Sequence, residues 1–390
     1  MKKVIIISAI FLIMNAESRG QRQAINNNLI TIDVTKNYSS GKELILQDFM
    51  DVEYIVLETN NDFLNQGFVQ AIGKEIILVR NRIPDGDVFI YNKAGKGIRK
   101  FNRRGQGPEE YTNIHGITLD EDNGEMFVND FMASKIVVYD LFGKYKRSFR
   151  HKEGVRYLNV YNFDKDKLIC FENSFDINNE PKNRQQFTVI SKKDGSIINE
   201  IQIPFEKKKS TVVRNTAIGS GFNATSQYPI IHYRDQLFIT ELSSDTVFRI
   251  LPDLSLIPFI VRTPSIQVMR EPEIFLFPTI LTDRYYFMQT VKKEFNFVTN
   301  EGFPIKDFAY DSQDKTIFVY AVYNGDYSVK KTVKMIPNTI NQEIAFFQTI
   351  EAFELVESNK KGELKGKLKE VASRLDEEDN PVIMLVKNKK

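Results

Sequence analysis

The sequence predicts an all-β fold, a six-bladed β-propeller closed by strands from both chain ends, and three observations carry that expectation. First, Asp87–Phe101 (DVFIYNKAGKGIRKF) aligns without a gap on Lys135–Phe149 (KIVVYDLFGKYKRSF), with Tyr91, Gly95, Lys96, Arg99 and Phe101 matching Tyr139, Gly143, Lys144, Arg147 and Phe149. The offset of about 48 residues suits a supersecondary unit that buries its apolar face only against its neighbours. Second, short stretches rich in β-branched and aromatic residues return in groups of four along most of the chain. Third, strand-like segments remain at both ends, and a ring needs such segments to close.

Taken in order, the chain opens with Lys2 and Lys3, an apolar run from Val4 to Met14, and small residues at Ala16, Ser18 and Gly20. That pattern predicts a signal peptide over residues 1–20, too short in its apolar part to span a bilayer as a helix. The protein is therefore expected to be exported, periplasmic or extracellular, with no transmembrane span after signal cleavage. Cys170 is the only cysteine, so no lipobox cysteine follows the apolar run and no internal disulfide can form. Within the apolar LICF run it reads as a small core residue.

Residues 21–390 read as one propeller domain. The first unit offers Phe68–Ala71, Glu75–Val79, Val88–Tyr91 and Ile98–Phe101, and the second His115–Leu119, Glu125–Asn129, Lys135–Tyr139 and Tyr145–Phe149. A third follows with Leu158–Tyr161, Lys167–Phe171, Phe187–Ser191 and Ile197–Ile201, its turn made by Asp194-Gly195. The fourth gives Ile230–Tyr233, Gln236–Thr240, Thr246–Ile250 and Ile257–Val261. A looser fifth is expected from Phe277–Leu281, Tyr285–Met288, Ile317–Tyr320 and Ser328–Val333, with an insertion from Lys292 to Lys315. The sixth is expected to combine Phe346 and Phe347 on an inner strand, the C-terminal strand Val382–Val386, and the N-terminal strands Ile30–Val34 and Val52–Leu57. Leu364, Leu368, Val371, Ala372 and Leu375 fall at helical spacing, which predicts one amphipathic helix before the last strand. Joining both ends in one sheet removes the open edge of a linear stack.

Composition narrows the function classes. Fifty-three basic residues face 51 acidic ones, a formal net charge of +2, so no long-range field draws in nucleic acid or anionic lipid. Trp is absent while 30 Phe and 16 Tyr are present, so any glycan would stack on Tyr or Phe. A monomer is expected.

The stretch from Phe101 to Lys144 carries a resemblance. Its Arg103, Gly105, Gly107, Pro108, Glu110 and Tyr111 match an Arg-x-Gly-x-Gly-Pro-x-Glu-Tyr signature that joins the first two blades in NHL-related six-bladed propellers of exported Bacteroidetes proteins. The opening VEYIVLET and closing DEEDNPVIMLVK are similar to that family's ends, so the likeness spans nearly the whole mature chain. It implies the fold and export. It implies no particular activity, and this chain lacks the lipobox of many members.

The candidate site follows from the repeat. In a propeller the loops after each second strand share a face with the blade-to-blade connections. The alignment places Arg80, Asp130, Glu172, Glu241 and Gln289 at five equivalent second-strand ends on that face, and the GQGPEEY junction adds Arg103, Arg104, Glu109, Glu110 and Tyr111. Such a mixed-charge rim around a tunnel mouth can orient a polar ligand through directed hydrogen bonds. The competing interpretation is structural: strand ends are polar where they meet water, and Arg80 pairs with Asp130 between blades. Asp130→Ala discriminates, since loss of binding with little loss of stability marks a site and a stability collapse marks a structural clasp. The junction's glycines suit unusual backbone angles rather than a phosphate cradle, which needs amides converging at a helix N-terminus.

Catalytic patterns are sparse. The three histidines, His115, His151 and His232, form no HxH or HExxH pattern, and neither CxxC nor a GxSxG elbow occurs. Two expectations result: a non-catalytic exported propeller that binds a polar small molecule, glycan or protein partner at its tunnel face without a cofactor, or a metal-assisted hydrolase or lyase of lactonase type. The second would hold Ca or Zn with His115 or His232 and an acid such as Asp130 or Glu241.

Overall fold

The computed structural model describes residues 29–38, 41–172, 185–215, 220–224, 228–338 and 344–389, so residues 1–20, predicted above as a signal peptide, lie outside the described residues. Six sheets form the ring. Blade 1 comprises Phe68–Ile72, Ile76–Arg80, Asp87–Asn92 and Gly97–Asn102, and blade 2 Gly116–Asp120, Glu125–Asp130, Lys135–Asp140 and Tyr145–Arg150. Blade 3 comprises Tyr157–Asn162, Lys167–Glu172, Phe187–Ser191 and Ile197–Glu200. In each, consecutive strands pair antiparallel, and the first lies innermost. The first four units therefore sit where alternation and the repeat predict them.

The repeated residues are the joints between blades. Gly143 has φ +79°, and a Cβ there would meet the ring of Phe101 in the preceding blade at 2.6 Å; Gly195 stands against Phe149 in the same way. At the joints between blades 1 and 2 and between blades 2 and 3, an aromatic of one repeat thus seats against the left-handed glycine turn of the next. Tyr139 is fully buried between blades 1 and 2 with Leu78, Ile90, Phe101 and Val128. Equivalent apolar layers separate the other blades.

Blades 4 and 5 carry a fifth strand. Blade 4 contains Ile230–Tyr233, Gln236–Ile239, Thr246–Ile250 and Leu256–Thr263, with Ile30–Asp33 added parallel to its outer edge. Blade 5 contains Ile274–Leu281, Tyr285–Lys292, Ile305–Asp311 and Thr316–Tyr323, with Gly41–Ile45 added in the same manner. Two sequence expectations are corrected here. Ile30–Val34 does not enter the closing sheet, because Ile32 buries fully in the layer between blades 4 and 5. The supposed insertion holds blade 5's third strand, Ile305–Asp311, whose exposed Lys306 and Asp307 disguise the alternation. Ile317–Tyr320 is consequently part of the fourth strand, and Ser328–Val333 makes only isolated bridges. What remains inserted is a short hairpin, Phe295–Asn296 with Glu301–Gly302.

Blade 6 closes the ring with Ile344–Ile350 innermost, Val382–Asn388 in the middle and Met50–Ile55 outside. The predicted helix is present as Gly366–Ala372, preceded by a second one, Ala352–Lys360, that the pattern did not reveal. Leu355 and Leu368 from these helices, with Leu364 from the connection between them, pack against Tyr327 and Val382.

Candidate functional site

The two ends of the ring differ chemically. In blade 2, Gly116 pairs with Asn129 and Lys135 with both Asp130 and Arg150, so second-strand loops and blade junctions share one end, the connection face. The tight turns after first and third strands form the opposite turn face.

On the connection face the five aligned residues split by role. Asp130 is fully buried and accepts hydrogen bonds from the Thr112 amide (2.6 Å), the Thr112 hydroxyl (2.8 Å) and the Ala133 amide (3.1 Å). Glu172 accepts from Thr188 Oγ1 at 2.8 Å and lies 3.5 Å from Lys152 Nζ. Glu241 accepts from Lys208 Nζ at 2.8 Å and from the Ser243 amide at 3.0 Å, both partners buried. In blades 2, 3 and 4, then, the acid at the second-strand end grips the connection that leads into its own blade. Gln289 is not at a strand end: it lies inside Tyr285–Lys292, paired with Asp307, and donates to Asp307 Oδ1 at 2.8 Å within blade 5. Arg80 does not pair with Asp130: it donates to the Asn81 carbonyl at 3.0 Å, and its guanidinium lies 4.4 Å from the Phe68 ring centroid.

The junction residues are similarly placed. Tyr111 is fully buried, its hydroxyl donating to the Gly86 carbonyl and accepting from the Arg103 amide at 3.0 Å. Burial pushes its phenol up to about 12. Glu110 accepts from the Gly107 amide at 2.8 Å inside its own loop. Arg103, Arg104 and Glu109 are exposed. Tyr139 donates to the Glu109 carbonyl at 2.6 Å, so the GQGPEEY loop is pinned against blade 2.

The cavity lies along the tunnel and reaches the turn face, which sequence reasoning did not single out. It measures about 530 Å³ and is walled by the innermost strands of blades 1 to 4 and their turns. Polar groups reach it from Gln70, Thr118, Asn159, Asn162, His232 and Gln236. Period-two alternation on an innermost strand marks the tunnel-facing set, but an open strand end cannot be told from a filled one without neighbouring blades. Asn162 Oδ1 is buried without a hydrogen-bond partner among the described residues. His232, enclosed by the ring, has its imidazole pulled down to about 4 by desolvation, so it is neutral at pH 7 and offers one donor and one acceptor. His115 also lines the cavity, immediately before the innermost strand Gly116–Asp120. Burial and then the charge of Arg80 lower its pKa.

The remaining histidine is structural. Tyr157 donates its amide to His151 Nδ1 at 3.2 Å, which leaves Nε2 to donate to Asn129 Oδ1 at 3.0 Å. Among the described residues no three of His, Cys, Asp and Glu converge as a metal-ligand set, and the acids proposed as ligands are turned to Thr112 and Lys208. No helix among the described residues is long and apolar enough to cross a membrane.

One solved structure supports the architecture. A Bacteroides fragilis protein described as exported superposes with a TM-score of 0.56 at 15% identity, covering 93% of this chain and 99% of that one. A DUF4221 member from Bacteroides vulgatus gives 0.46 at 11% identity over 88% and 98%, and virginiamycin B lyase from Staphylococcus aureus 0.32 at 13% over 69% and 87%. At such identities the likeness concerns the fold alone. No curated protein matches the chain. Residues 29–387, nearly the whole of the described ring, match one family description throughout, and the chain belongs to that family, the domain of unknown function DUF4934.

Proposed function

We propose that this protein is an exported, non-catalytic propeller that holds a polar ligand of saccharide size in its tunnel. One observation carries the proposal: a cavity of about 530 Å³, within the usual range for small-molecule sites, whose wall carries neutral hydrogen-bonding side chains from four blades, with Lys74, Asp120, Glu121, Asp122, Asp164 and Asp235 at its turn-face end. Amides, a hydroxyl and a neutral imidazole suit hydroxyl groups, which both donate and accept. Export is supported by the N-terminal pattern and by the Bacteroides fragilis relative described as exported. The junction signature supports kinship with NHL-related propellers.

The test is a thermal-shift screen of the mature protein against neutral and acidic saccharides. A ligand that binds only the folded ring raises Tm in a saturable manner. Gln70→Ala and Asn162→Ala are expected to abolish the shift while leaving the unliganded Tm nearly unchanged. A saturable shift that survives both substitutions puts the ligand outside the cavity and ends this proposal.

A further inference from the structure

The connection-face end of the same tunnel carries a different chemistry. Three successive innermost strands begin there with Phe68, His115 and Arg156 at or beside their first residues. Phe68 is 41% exposed, and the Arg80 guanidinium stacks 4.4 Å from its ring centroid. The His115 ring lies 5.1 Å from that of Phe131, and the Arg156 guanidinium 5.5 Å from the same Phe131 ring. Arg80 is close enough to His115 for its charge to be felt there. Aromatic faces and cations thus alternate from blade 1 to blade 3.

The cations are short of partners. Arg156 is exposed and makes no ion pair among the described residues. Arg80 spends one donor on the Asn81 carbonyl, while its Nε–H is buried with no acceptor among the described residues. Asp85, the acid whose charge reaches Arg80, accepts from Asn81 Nδ2 at 2.6 Å and from the Asp87 amide at 3.0 Å. An unmet donor on a partly buried cation is costly, and stacking on a ring occupies the face of the guanidinium rather than its edge. A planar fork of that kind matches an oxyanion.

We propose that Arg80, Arg156 and His115, backed by Phe68 and Phe131, form a subsite for a single oxyanion, a carboxylate or sulfate carried by a polar ligand. The cradle opens on the connection face and shares only His115 with the cavity. Two guanidinia and a net charge of +2 suit one anionic group rather than a nucleic-acid backbone.

Ring resonances of the three histidines, followed by NMR in the mature protein at constant ionic strength, provide the test. Sodium glucuronate, sodium sulfate and glucose are titrated separately. Glucuronate or sulfate is expected to shift the His115 signals saturably and glucose is not; glucuronate alone identifies a carboxylate site and equal responses a general oxyanion site. Arg156→Met and Arg80→Met are each expected to weaken the response about tenfold, the loss of one charge-assisted hydrogen bond, with Arg80→Lys restoring it only in part. Arg156 is exposed, so its substitution tests the subsite even where Arg80→Met lowers stability. Asn162→Ala is expected to leave the oxyanion response intact, which separates this subsite from the cavity. No saturable shift with either anion, or a shift indifferent to both arginine substitutions, overturns the proposal.

Discussion

Asp130 sits at the end of a second strand where a ligand-facing carboxylate would be expected, yet its oxygens are directed at Thr112 and Ala133. Removing it leaves the part-buried amides of Thr112 and Ala133 without this acceptor. Asp130→Ala is therefore expected to cost at least about 2 kcal/mol and to lower Tm by several degrees, read by urea and thermal unfolding; an unchanged melting curve would show that these bonds contribute nothing. The histidines give a second expectation. Burial pulls both His151, against its contact with the Lys135 carbonyl, and His232 down to about 4. As pH falls below about 6.5 the unfolded chain takes up protons that the folded chain refuses, so this contribution to stability is present above about 6.5 and lost towards pH 4. Unfolding free energy is expected to slope downward across that window, and less steeply in His232→Gln. Equal slopes in the two proteins would assign the acid sensitivity to other groups. Arg80, Asp130 and Glu172 close their second strands as the repeat alignment expects, whereas Glu241 lies two residues beyond its strand and Gln289 three residues before the end of its own, and even a shared backbone position does not fix a partner. Thr112, Lys152 and Lys208 stand at 18, 20 and 33 residues from the acids they hold, distances with no periodic signal.

At the scale of elements, strands with regular alternation were legible and strands recruited from elsewhere were not. Gly41–Ile45 reads as five unremarkable residues, and only the outer edge of blade 5 gives it a parallel partner running from Val319 to Tyr323. Ile305–Asp311 was hidden because its first three residues are exposed on both faces. The two N-terminal strands form a strap that covers the edges of blades 4 and 5, edges that would otherwise offer unpaired amides to another chain. Ile32 and Val34 anchor it by burial. Deleting residues 29–45 is expected to preserve the β-sheet circular-dichroism signal but to lower Tm and to produce concentration-dependent oligomers in size-exclusion chromatography, since burying each such side chain contributes about 1.5–3 kcal/mol. A monomer with the original Tm would show that the strap is dispensable.

For the whole molecule, fold and closure were readable because a ring must consume both of its ends, whereas the cavity was not, because its walls come from four blades and no single stretch encodes them. The aligned rim residues lie on the connection face and the cavity reaches the turn face, so the repeat pointed to one end of the tunnel and the empty volume extends to the other. The closing blade also sets an order in time. Its outer strand, Met50–Ile55, and its partner, Val382–Asn388, have more than three hundred residues between them. At about 5–20 residues per second, translation needs roughly 15–65 seconds to cover that interval. Throughout it the early strand has no mate, so the ring becomes a cooperative unit only once residues 382–388 have been made. A chain stalled before residue 382 would hold most of its blades and still lack the contact that makes them one structure.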